Sequence, residues 1–310
     1  MNQDLFAKTI DYPDPHAQQR LAALVGLDDV RDRLVAEAAL LIDPTAIEKW
    51  STKHHELGLR AAAEVAGRTP LILLAGDVGT GKTELAESFP DAVARAVRIE
   101  VTLYSLSLSA RGKGIVGEMT TLIAAAFSEI AAQGKACRTT DGRVRRGLVL
   151  LIDEADALAQ SRELGQMHHE DRAGVNALIR GIDELRQIGL PVLTVLCTNR
   201  PGAIDPAVRR RAAAVFSLGR PNDGQRQALL AELLTGVRVS AGEMSALVEA
   251  TGPSPTRAFG FTYSDIRQSL VPEAVLRAVR TDVPLTPRLV LELARSLEPT
   301  RPFVEAAGTG

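Results

Sequence analysis

The sequence is poor in several features on which whole classes of protein depend. With two cysteines it could form one disulfide at most, which argues against a disulfide-stabilised secreted domain. The charges nearly cancel, at 36 Lys and Arg against 38 Asp and Glu, so the chain as a whole has no attraction for nucleic acid or an anionic membrane. The longest apolar stretches, such as Leu71 to Ala75 and Leu148 to Ile152, fall far short of the ~18 residues that indicate a membrane span.

The start of the chain also shows no readable secretory signal. The first residues, "MNQDLFAKTIDYPDP", have no basic start followed by an apolar stretch, so they do not read as a secretory signal peptide. Cys197 lies inside the apolar run "VLTVLC", as a small core residue would. Two adjacent pairs of histidines, His54–His55 and His168–His169, lack the spacing of metal ligands. We therefore expect a cytoplasmic protein in a reducing environment, without a membrane partner.

What the sequence does contain is an alternation of strand and helix patterns. Near-continuous apolar runs of strand length indicate a parallel sheet that is covered on both faces. Helical patterns separate these runs, so we expect a doubly wound, five-stranded parallel α/β domain. The five expected strands are Pro70–Ala75, Val97–Val101, Leu148–Ile152, Val192–Cys197 and Ala214–Leu218, and the expected helices between them are Thr83–Ala94, Met119–Gln133 and Gly174–Gln187.

After Leu218 the strand patterns end at the breaker cluster "GRPNDG", and helical patterns follow. Four helices are predicted there, at Gln225–Leu234, Ser240–Ala250, Tyr263–Arg280 and Pro287–Leu297. The expected organisation is an N-terminal tail or docking segment over residues 1–20, an α/β domain over 21–219, a small all-helical domain over 220–298 and a C-terminal tail over 299–310.

The stretch "LLAGDVGTGKTELAESF" carries the clearest chemical signal, because it fits the phosphate-binding pattern G-x-x-x-x-G-K-[ST]. Glycines let successive backbone N–H groups turn inward, and the helix that follows adds its positive N-terminal end. Lys82 is expected to reach the β- and γ-phosphates of a nucleotide, and the Thr83 hydroxyl to bind Mg²⁺. The alternative is a glycine turn without a ligand. The residues expected at the phosphates are Gly76, Asp77, Val78, Gly79, Thr80, Gly81, Lys82, Thr83 and Glu84.

A second signal, "LVLLIDEAD", lies about seventy residues further on. A carboxylate at the carboxyl end of a strand beside the glycine loop can hold the Mg²⁺ shell, which predicts that role for Asp153. Glu154 follows at once and is placed to orient and deprotonate an attacking water. The alternative for this pair is an acidic helix cap after a strand.

Two further polar segments follow the later strands. Asn199, at the end of "VLTVLCTN", could help to position the water, or it could be a turn residue before Pro201. Arg209, Arg210 and Arg211 stand in a row at the end of a predicted helix, where they could complement the helix C-terminus.

Together these motifs resemble the AAA+ ATPases, and the resemblance covers nearly the whole chain from Leu24 onward. "LVGLDDVRDRL" resembles the family's adenine-contacting segment, which implies that Val25 and Gly26 lie at the nucleotide base. "CTNRPGAIDPAVRRR" is similar to the family's second-region segment, whose arginines act in trans on the neighbour's ATP. The resemblance implies that Arg211 is the principal arginine finger, that Arg210 is the second, and that the assembly is a homo-oligomeric ring, usually a hexamer.

In remodelling members of the family, a pore loop follows the second strand, and here that place reads Ile115-Val116-Gly117. The aromatic residue of the family's loop is missing, although an aliphatic pair can still grip a backbone. The alternative is an ordinary flexible loop. The resemblance places a second pore loop at Ser161–Gly174.

The segment "GFTYSDIRQSLVPEAVLRAVR" resembles the sensor segment of the family's small domain, with Ser264 where some branches carry an arginine and Arg267 one helical turn further on as a substitute. "RAGVNALIRGIDEL" and "IDPAVRRRAAAVFSLGRP" resemble the pachytene-checkpoint ATPases, which remodel HORMA-domain proteins. The short region before the ATPase domain is similar to that of bacterial members that accompany HORMA proteins and cyclic-nucleotide synthases in antiphage signalling.

The resemblance implies an enzyme that binds ATP and Mg²⁺ and uses hydrolysis to remodel a protein partner, for which a HORMA-domain protein is the candidate. Nucleic acid is not an expected partner. Two alternatives stay open from the sequence. One is a nucleic-acid-associated switch such as a helicase loader or clamp-loader subunit, which predicts a DNA-binding module or a basic pore. The other is a nucleotide-gated scaffold that binds ATP without turning it over.

Overall fold

A computed structural model describes residues 5–55, 58–108, 118–158, 169–255 and 257–303. These residues group into two compact units. The first unit comprises the described residues of Met1–Ala23, Asp29–Ala75 and Thr83–Ser217. The second comprises Leu24–Asp28, Gly76–Lys82 and the described residues of Leu218–Gly310. The glycine loop therefore packs with the C-terminal helices, although the sequence places it inside the α/β domain.

Six strands form one mixed sheet within the described residues, in the order β1-β3-β4-β5-β2-β6. The pairs β3–β4, β4–β5 and β5–β2 are parallel, and β1 runs antiparallel to β3. The central strands are buried along most of their length, as expected for a sheet with helices on both faces. The strands are β1 (Lys8–Tyr12), β2 (Leu71–Gly76), β3 (Glu100–Ser107), β4 (Arg146–Asp153), β5 (Val192–Thr198) and β6 (Ala214–Leu218).

The expected count of five strands is wrong by one, because residues 8–12, which lie in the expected N-terminal tail or docking segment, form β1. This edge strand reads "KTIDY" and carries too few apolar residues to give a strand pattern. It is held by long-range contacts instead: Lys8 Nζ pairs with Glu87 at 2.6 Å, and the Tyr12 hydroxyl donates to the Glu87 carbonyl. The pattern of apolar and polar residues within a short stretch of sequence does not reveal such distant partners.

Strand β3 also differs from its expected bounds, because it begins at Glu100 and continues to Ser107. The polar residues Thr102 and Ser105 interrupt its apolar pattern, yet both are buried. The Thr102 hydroxyl donates to Asp11 on β1 at 2.6 Å, which satisfies a polar group inside the sheet.

Helices of the first unit cover the sheet, and four of them precede β2, where the sequence analysis predicts no element. Helix α5 carries an internal proline, Pro90, and α8 is a single turn capped by Asp205. The helices are α1 (Pro15–Ala22), α2 (Asp28–Ile42), α3 (Thr45–His54), α4 (Arg60–Ala66), α5 (Lys82–Val97), α6 (Glu118–Lys135), α7 (His169–Ile188) and α8 (Pro206–Arg209).

The second unit consists of helices around a core of its own, which includes Leu230, Leu247, Phe261 and Val290. Capping boxes begin the first two helices, at Asn222 and Ser240. The helices are α9 (Asp223–Leu233), α10 (Ala241–Thr251), α11 (Val271–Arg280) and α12 (Pro287–Ser296), with a π-helical turn at Asp265–Leu270 before α11.

The start of the expected C-terminal tail is anchored in this unit. The Thr300 hydroxyl donates to Asp265 Oδ1 at 2.6 Å, and the Phe303 N–H donates to Asp77 Oδ1 at 3.3 Å. The expectation of a tail over residues 299–310 is therefore wrong for residues 300–303. Across the described residues, no helix is long and apolar enough to cross a membrane.

Helices α6 and α7 pack closely where Gly181 faces Phe127. A Cβ atom added at Gly181 would lie 2.2 Å from Phe127 Cγ, and Phe127 is buried in the core. We expect Gly181→Ala to lower the free energy of unfolding by about 1–3 kcal/mol, since overpacking forces the ring or the helix to move. Urea unfolding followed by circular dichroism measures this change.

The control is Gly242→Ala on α10, where an added Cβ meets nothing within 4 Å. Alanine there should leave stability unchanged or raise it by about 0.4–1 kcal/mol. Equal stability of Gly181→Ala and the wild type would contradict the close helix contact.

Candidate functional site

The phosphate loop, residues 76–83, joins the end of β2 to the start of α5 and requires glycine at several positions. Gly79 and Gly81 have φ angles of +75° and +90°, which side chains disfavour. A Cβ at Gly76 would lie 2.2 Å from the Leu218 carbonyl oxygen. The backbone can therefore adopt this path only without side chains at these positions, and the loop forms a concave cradle of the kind that binds anions.

Contacts inside the loop fix its polar groups. Lys82 is 6% exposed, and its Nζ donates to the Asp77 carbonyl at 2.7 Å. The Thr80 hydroxyl donates to the same carbonyl at 2.8 Å. Because Lys82 also begins α5, a buried cation lies at the positive end of a 16-residue helix. This arrangement favours a bound anion.

Asp77 has a partner that the sequence analysis missed. Arg220 donates from Nε to Asp77 Oδ2 at 2.9 Å, and its Nη2 pairs with the same oxygen. Arg220 also donates to the Gly260 carbonyl at 2.7 Å and lies over the Phe259 ring. The Asp77 carboxylate thus anchors the loop to Arg220 in the second unit. The Asp77 backbone carbonyl accepts the hydrogen bond from Lys82. The sequence analysis gave Arg220 no role, and its partner lies 143 positions away.

The segment with Val25 and Gly26 belongs to the same unit. Gly26 has a φ of +72°, and its carbonyl accepts a hydrogen bond from Gln225 Nε2 at 2.7 Å. Val25 packs against the helical core of the unit. Gln225 is a second residue missed from the sequence, where it is recognisable only as part of a helix cap.

The predicted sensor segment reaches the loop through Ser264. The Ser264 N–H donates to the Gly79 carbonyl at 3.1 Å, and a Cβ at Gly79 would lie 2.6 Å from the Thr262 hydroxyl oxygen. Arg267, the suggested substitute, forms an ion pair with Glu232 on α9 at 3.1 Å. The contact seen at the loop is therefore made by Ser264.

In the first unit, the ends of α5 and β4 come together. The Thr83 hydroxyl donates to Asp153 Oδ2 at 2.9 Å. A hydroxyl and a carboxylate are oxygen ligands of the type that Mg²⁺ prefers. Glu84, in contrast, lies 3.4 Å from Arg20 Nη1, which places its carboxylate beside the N-terminal helix.

Glu154 has an unusual backbone conformation directly after the strand. Its φ is +53°, which is uncommon for a residue with a side chain, and its N–H donates to Asp153 Oδ1 at 2.8 Å. Its side chain is exposed. Strained backbone of this kind is often found where a side chain must be held for chemistry.

Asn199 is fixed through Asp156, a residue to which the sequence analysis gave no role. Asp156 is 6% exposed, and its Oδ1 accepts from the Asn199 N–H and from the Thr198 hydroxyl, each at 3.3 Å. The ends of β4 and β5 are therefore held side by side, as expected for neighbouring parallel strands. Asp156 stands in "DEAD", but its partner lies 42 residues away.

Arg210 and Arg211 follow α8 and line a pocket of about 420 Å³ together with Arg68 and Arg186. Arg211 forms a two-bond pair with Asp183 on α7, at 2.9 Å for both contacts. Hydrogen bonding to Asp183 raises the pKa of the Arg211 guanidinium. Within the described part of the chain, the exposed Arg210 side chain has no hydrogen-bond or ion-pair partner.

Other predicted residues fall elsewhere. Ile115, Val116 and Gly117 of the first pore loop, and residues 161–168 of the second, lie outside the described residues. His54 and His55 flank the half-exposed Trp50, with ring centroids 5.8 and 5.5 Å from its ring.

Comparison with known proteins gives a consistent result. Residues 72–220 match the ATPase family associated with various cellular activities (AAA). The chain is 48% identical to CD-NTase-associated protein 6 of Escherichia coli strain MS 115-1, over 97% of each chain.

Two solved structures share the fold over nearly the full length. The Escherichia coli MS115-1 HORMA:CdnC:Trip13 complex contains a chain with a TM-score of 0.89 and 47% identity, covering 98% of this chain and 99% of that one. The structure of Rhizobiales Trip13 has a TM-score of 0.75 and 41% identity, covering 96% and 100%. The sheet, the phosphate loop and these similarities together show that the chain belongs to the AAA family of ATPases.

Proposed function

We propose that this protein is a ring-forming ATPase that hydrolyses Mg²⁺-bound ATP and uses the energy to remodel a protein partner, a HORMA-domain protein of antiphage signalling. The observation that carries the proposal is the 2.9 Å contact between the Thr83 hydroxyl and Asp153. It joins the last residue of the phosphate loop to the acidic end of β4. A nucleotide-binding fold needs this pairing for hydrolysis, and a glycine turn without a ligand does not.

The residues present fit both ATP and Mg²⁺. The glycine cradle and the buried Lys82 suit the phosphates, and the Thr83 hydroxyl with the Asp153 carboxylate would hold the metal. Mg²⁺ supplies charge neutralisation at the phosphate oxygens. In this proposal, Val25 and Gly26 lie at the base of the nucleotide.

The remaining polar residues act on the attacking water. Glu154 accepts its proton as the water approaches the γ-phosphate, and the exposed carboxylate is free to do so. Asn199 orients the same water, and Asp156 holds the Asn199 backbone in place. This division of roles predicts different defects for different substitutions.

Arg211, with Arg210 beside it, supplies positive charge to the ATP of a neighbouring subunit. Their shared pocket, with its four arginines, supports a role in binding an anion. A residue that acts on the next subunit requires a head-to-tail assembly, which closes into a ring when the rotation permits. We propose a homohexamer.

The nature of the partner follows from the relatives. A protein similar to this chain over nearly its full length occurs in a complex with HORMA and CdnC, so a HORMA-domain protein is the proposed substrate. Ile115 and Val116 are the proposed gripping residues, since an aliphatic pair contacts any side chain without selecting a sequence. ATPase activity that rises on addition of DNA would favour the nucleic-acid-associated switch instead.

The first prediction separates nucleotide binding from hydrolysis. Lys82→Ala should lose ATP binding, because it removes the buried cation of the phosphate loop. Glu154→Gln should bind ATP normally but hydrolyse it about 10²–10⁴-fold more slowly, the usual contribution of a general base. Titration with a fluorescent ATP analogue and a phosphate-release assay measure the two quantities.

The exposed Lys53 on α3 provides the control, and Lys53→Ala should behave as the wild type. Wild-type affinity in Lys82→Ala would contradict the loop assignment. Wild-type protein that binds ATP without releasing phosphate, with and without its partner, would support the scaffold alternative.

The second prediction concerns action in trans. Arg211→Ala should reduce hydrolysis by about 10³–10⁵-fold, as finger loss does in phosphoryl-transfer enzymes. Mixed assemblies of Arg211→Ala and Lys82→Ala subunits should regain activity, since some interfaces combine an intact loop with an intact Arg211. Mixed assemblies isolated through two different tags that stay inactive would show that Arg211 does not act in trans.

The third prediction concerns the partner. Ile115→Ala with Val116→Ala should leave basal ATPase activity intact and abolish conversion or dissociation of the HORMA protein, because only the grip is lost. Both activities are measured in one preparation. The exposed aliphatic Val283 gives the control substitution Val283→Ala. Undiminished remodelling by the double variant would contradict the gripping role.

A further inference from the structure

We infer that Asp183 on α7 is a positioning residue, which holds the Arg211 guanidinium so that its two remaining N–H groups are presented to the neighbour's γ-phosphate. The inference rests on the proposed function, because it adds a residue to the site that acts in trans. Asp183 lies in "RGIDELRQ", and the sequence analysis gave this residue no role of its own.

Arg211 is held on two sides. Its Nε donates to Asp183 Oδ1 and its Nη2 to Asp183 Oδ2, each at 2.9 Å. Its Nη1 donates to the Ala207 carbonyl at 3.0 Å. A guanidinium has five N–H donors in a rigid plane, so three are used and one remains on each terminal nitrogen. Such a pair matches two oxygens of a phosphate.

The groups that hold Arg211 are themselves fixed. Asp183 is flanked on α7 by Ile182 and Leu185, which are 0% and 1% exposed. Ala207 lies in α8, whose N-terminus is capped by Asp205 at 2.7 Å from the Ala207 N–H. The Arg211 side chain is one-third exposed, so it remains accessible despite these bonds. The guanidinium is therefore ordered before any phosphate arrives, which lowers the entropy cost of the contact.

The surroundings fit the same role. Arg68 is paired with Glu37 at 2.7 Å, and Arg186 donates to the Gly67 carbonyl at 3.1 Å. These two arginines, Arg210 and Arg211 line one polar pocket, and Glu64 is the acidic residue among its lining. An excess of positive charge in one cavity favours an anion. The aspartate thus orients one arginine without cancelling the charge of the pocket.

Asp183→Asn tests the role with little change in shape. The amide oxygen of asparagine can accept one of the two Arg211 N–H groups. The amide nitrogen is itself a donor and cannot accept the second, so the two-bond pair is lost. We expect kcat for ATP hydrolysis to fall about 10- to 100-fold, the effect of a misplaced catalytic contact, while KM and nucleotide affinity stay unchanged. Glu184→Gln, one residue further along α7 and exposed, is the matched control and should retain full activity.

Mixed assemblies then show through which residue Asp183 acts. If Asp183 acts through Arg211, Asp183→Asn subunits mixed with Lys82→Ala subunits regain activity, and Asp183→Asn mixed with Arg211→Ala subunits do not. If Asp183 instead served the nucleotide site of its own subunit, the second mixture would recover on the order of a quarter of wild-type activity, the share of repaired interfaces in a random equal mixture. That recovery would overturn the inference, as would an unchanged kcat in Asp183→Asn.

The failure of the proposed function is distinguishable. If Arg211→Ala and Lys82→Ala subunits fail to complement each other, the trans arrangement itself is wrong. If they complement each other but the two mixtures that contain Asp183→Asn subunits do not behave as expected, only the positioning role of Asp183 is wrong. Arg211→Lys serves as a second variant that leaves α7 unaltered: it keeps the charge and cannot form the two-bond pair, so it should lose kcat, and wild-type kcat would overturn the inference.

Discussion

The hydrogen bond between Thr83 and Asp153 is the contact on which the proposed chemistry of the first unit depends. It exists because β4 ends level with the start of α5, and the parallel order β4–β5–β2 brings these ends to one edge of the sheet. Ligands of open α/β sheets bind at this edge, where carboxyl ends of strands meet helix N-termini. Glu154 and Asn199 follow the ends of β4 and β5 for the same reason, and Asp156 connects the two strand ends.

The phosphate loop depends on a different set of contacts. Arg220 binds Asp77 from 143 positions away, and the Ser264 N–H donates to the Gly79 carbonyl. The loop therefore has its conformation set by residues that follow the last strand.

The pocket that contains Arg211, the proposed trans-acting residue, is rich in positive charge. Three of the four arginines in the pocket beside α8 are bonded to carboxylate or carbonyl oxygens. The exposed Arg210 has no partner within the described residues. Pre-ordered arginines bind phosphate with a smaller entropy loss than mobile ones. Asp183 is the residue that gives Arg211 this order, and its partner lies 28 residues further along the chain.

The sequence by itself determined the elements whose signal is local. Apolar runs predicted five of the six strands, although the second was placed several residues too early, and the spacing of glycines, Lys82 and Thr83 identified the phosphate loop. The family followed from Asp153, Glu154 and the segment that ends at Arg211. Only the tertiary structure decided which residues hold these groups: β1, Arg220, Gln225, Asp156 and Asp183 act through partners dozens of positions or more away. A polar side chain gives no periodic pattern, and its partner is set by the order of strands and helices in space, which no local stretch of sequence contains.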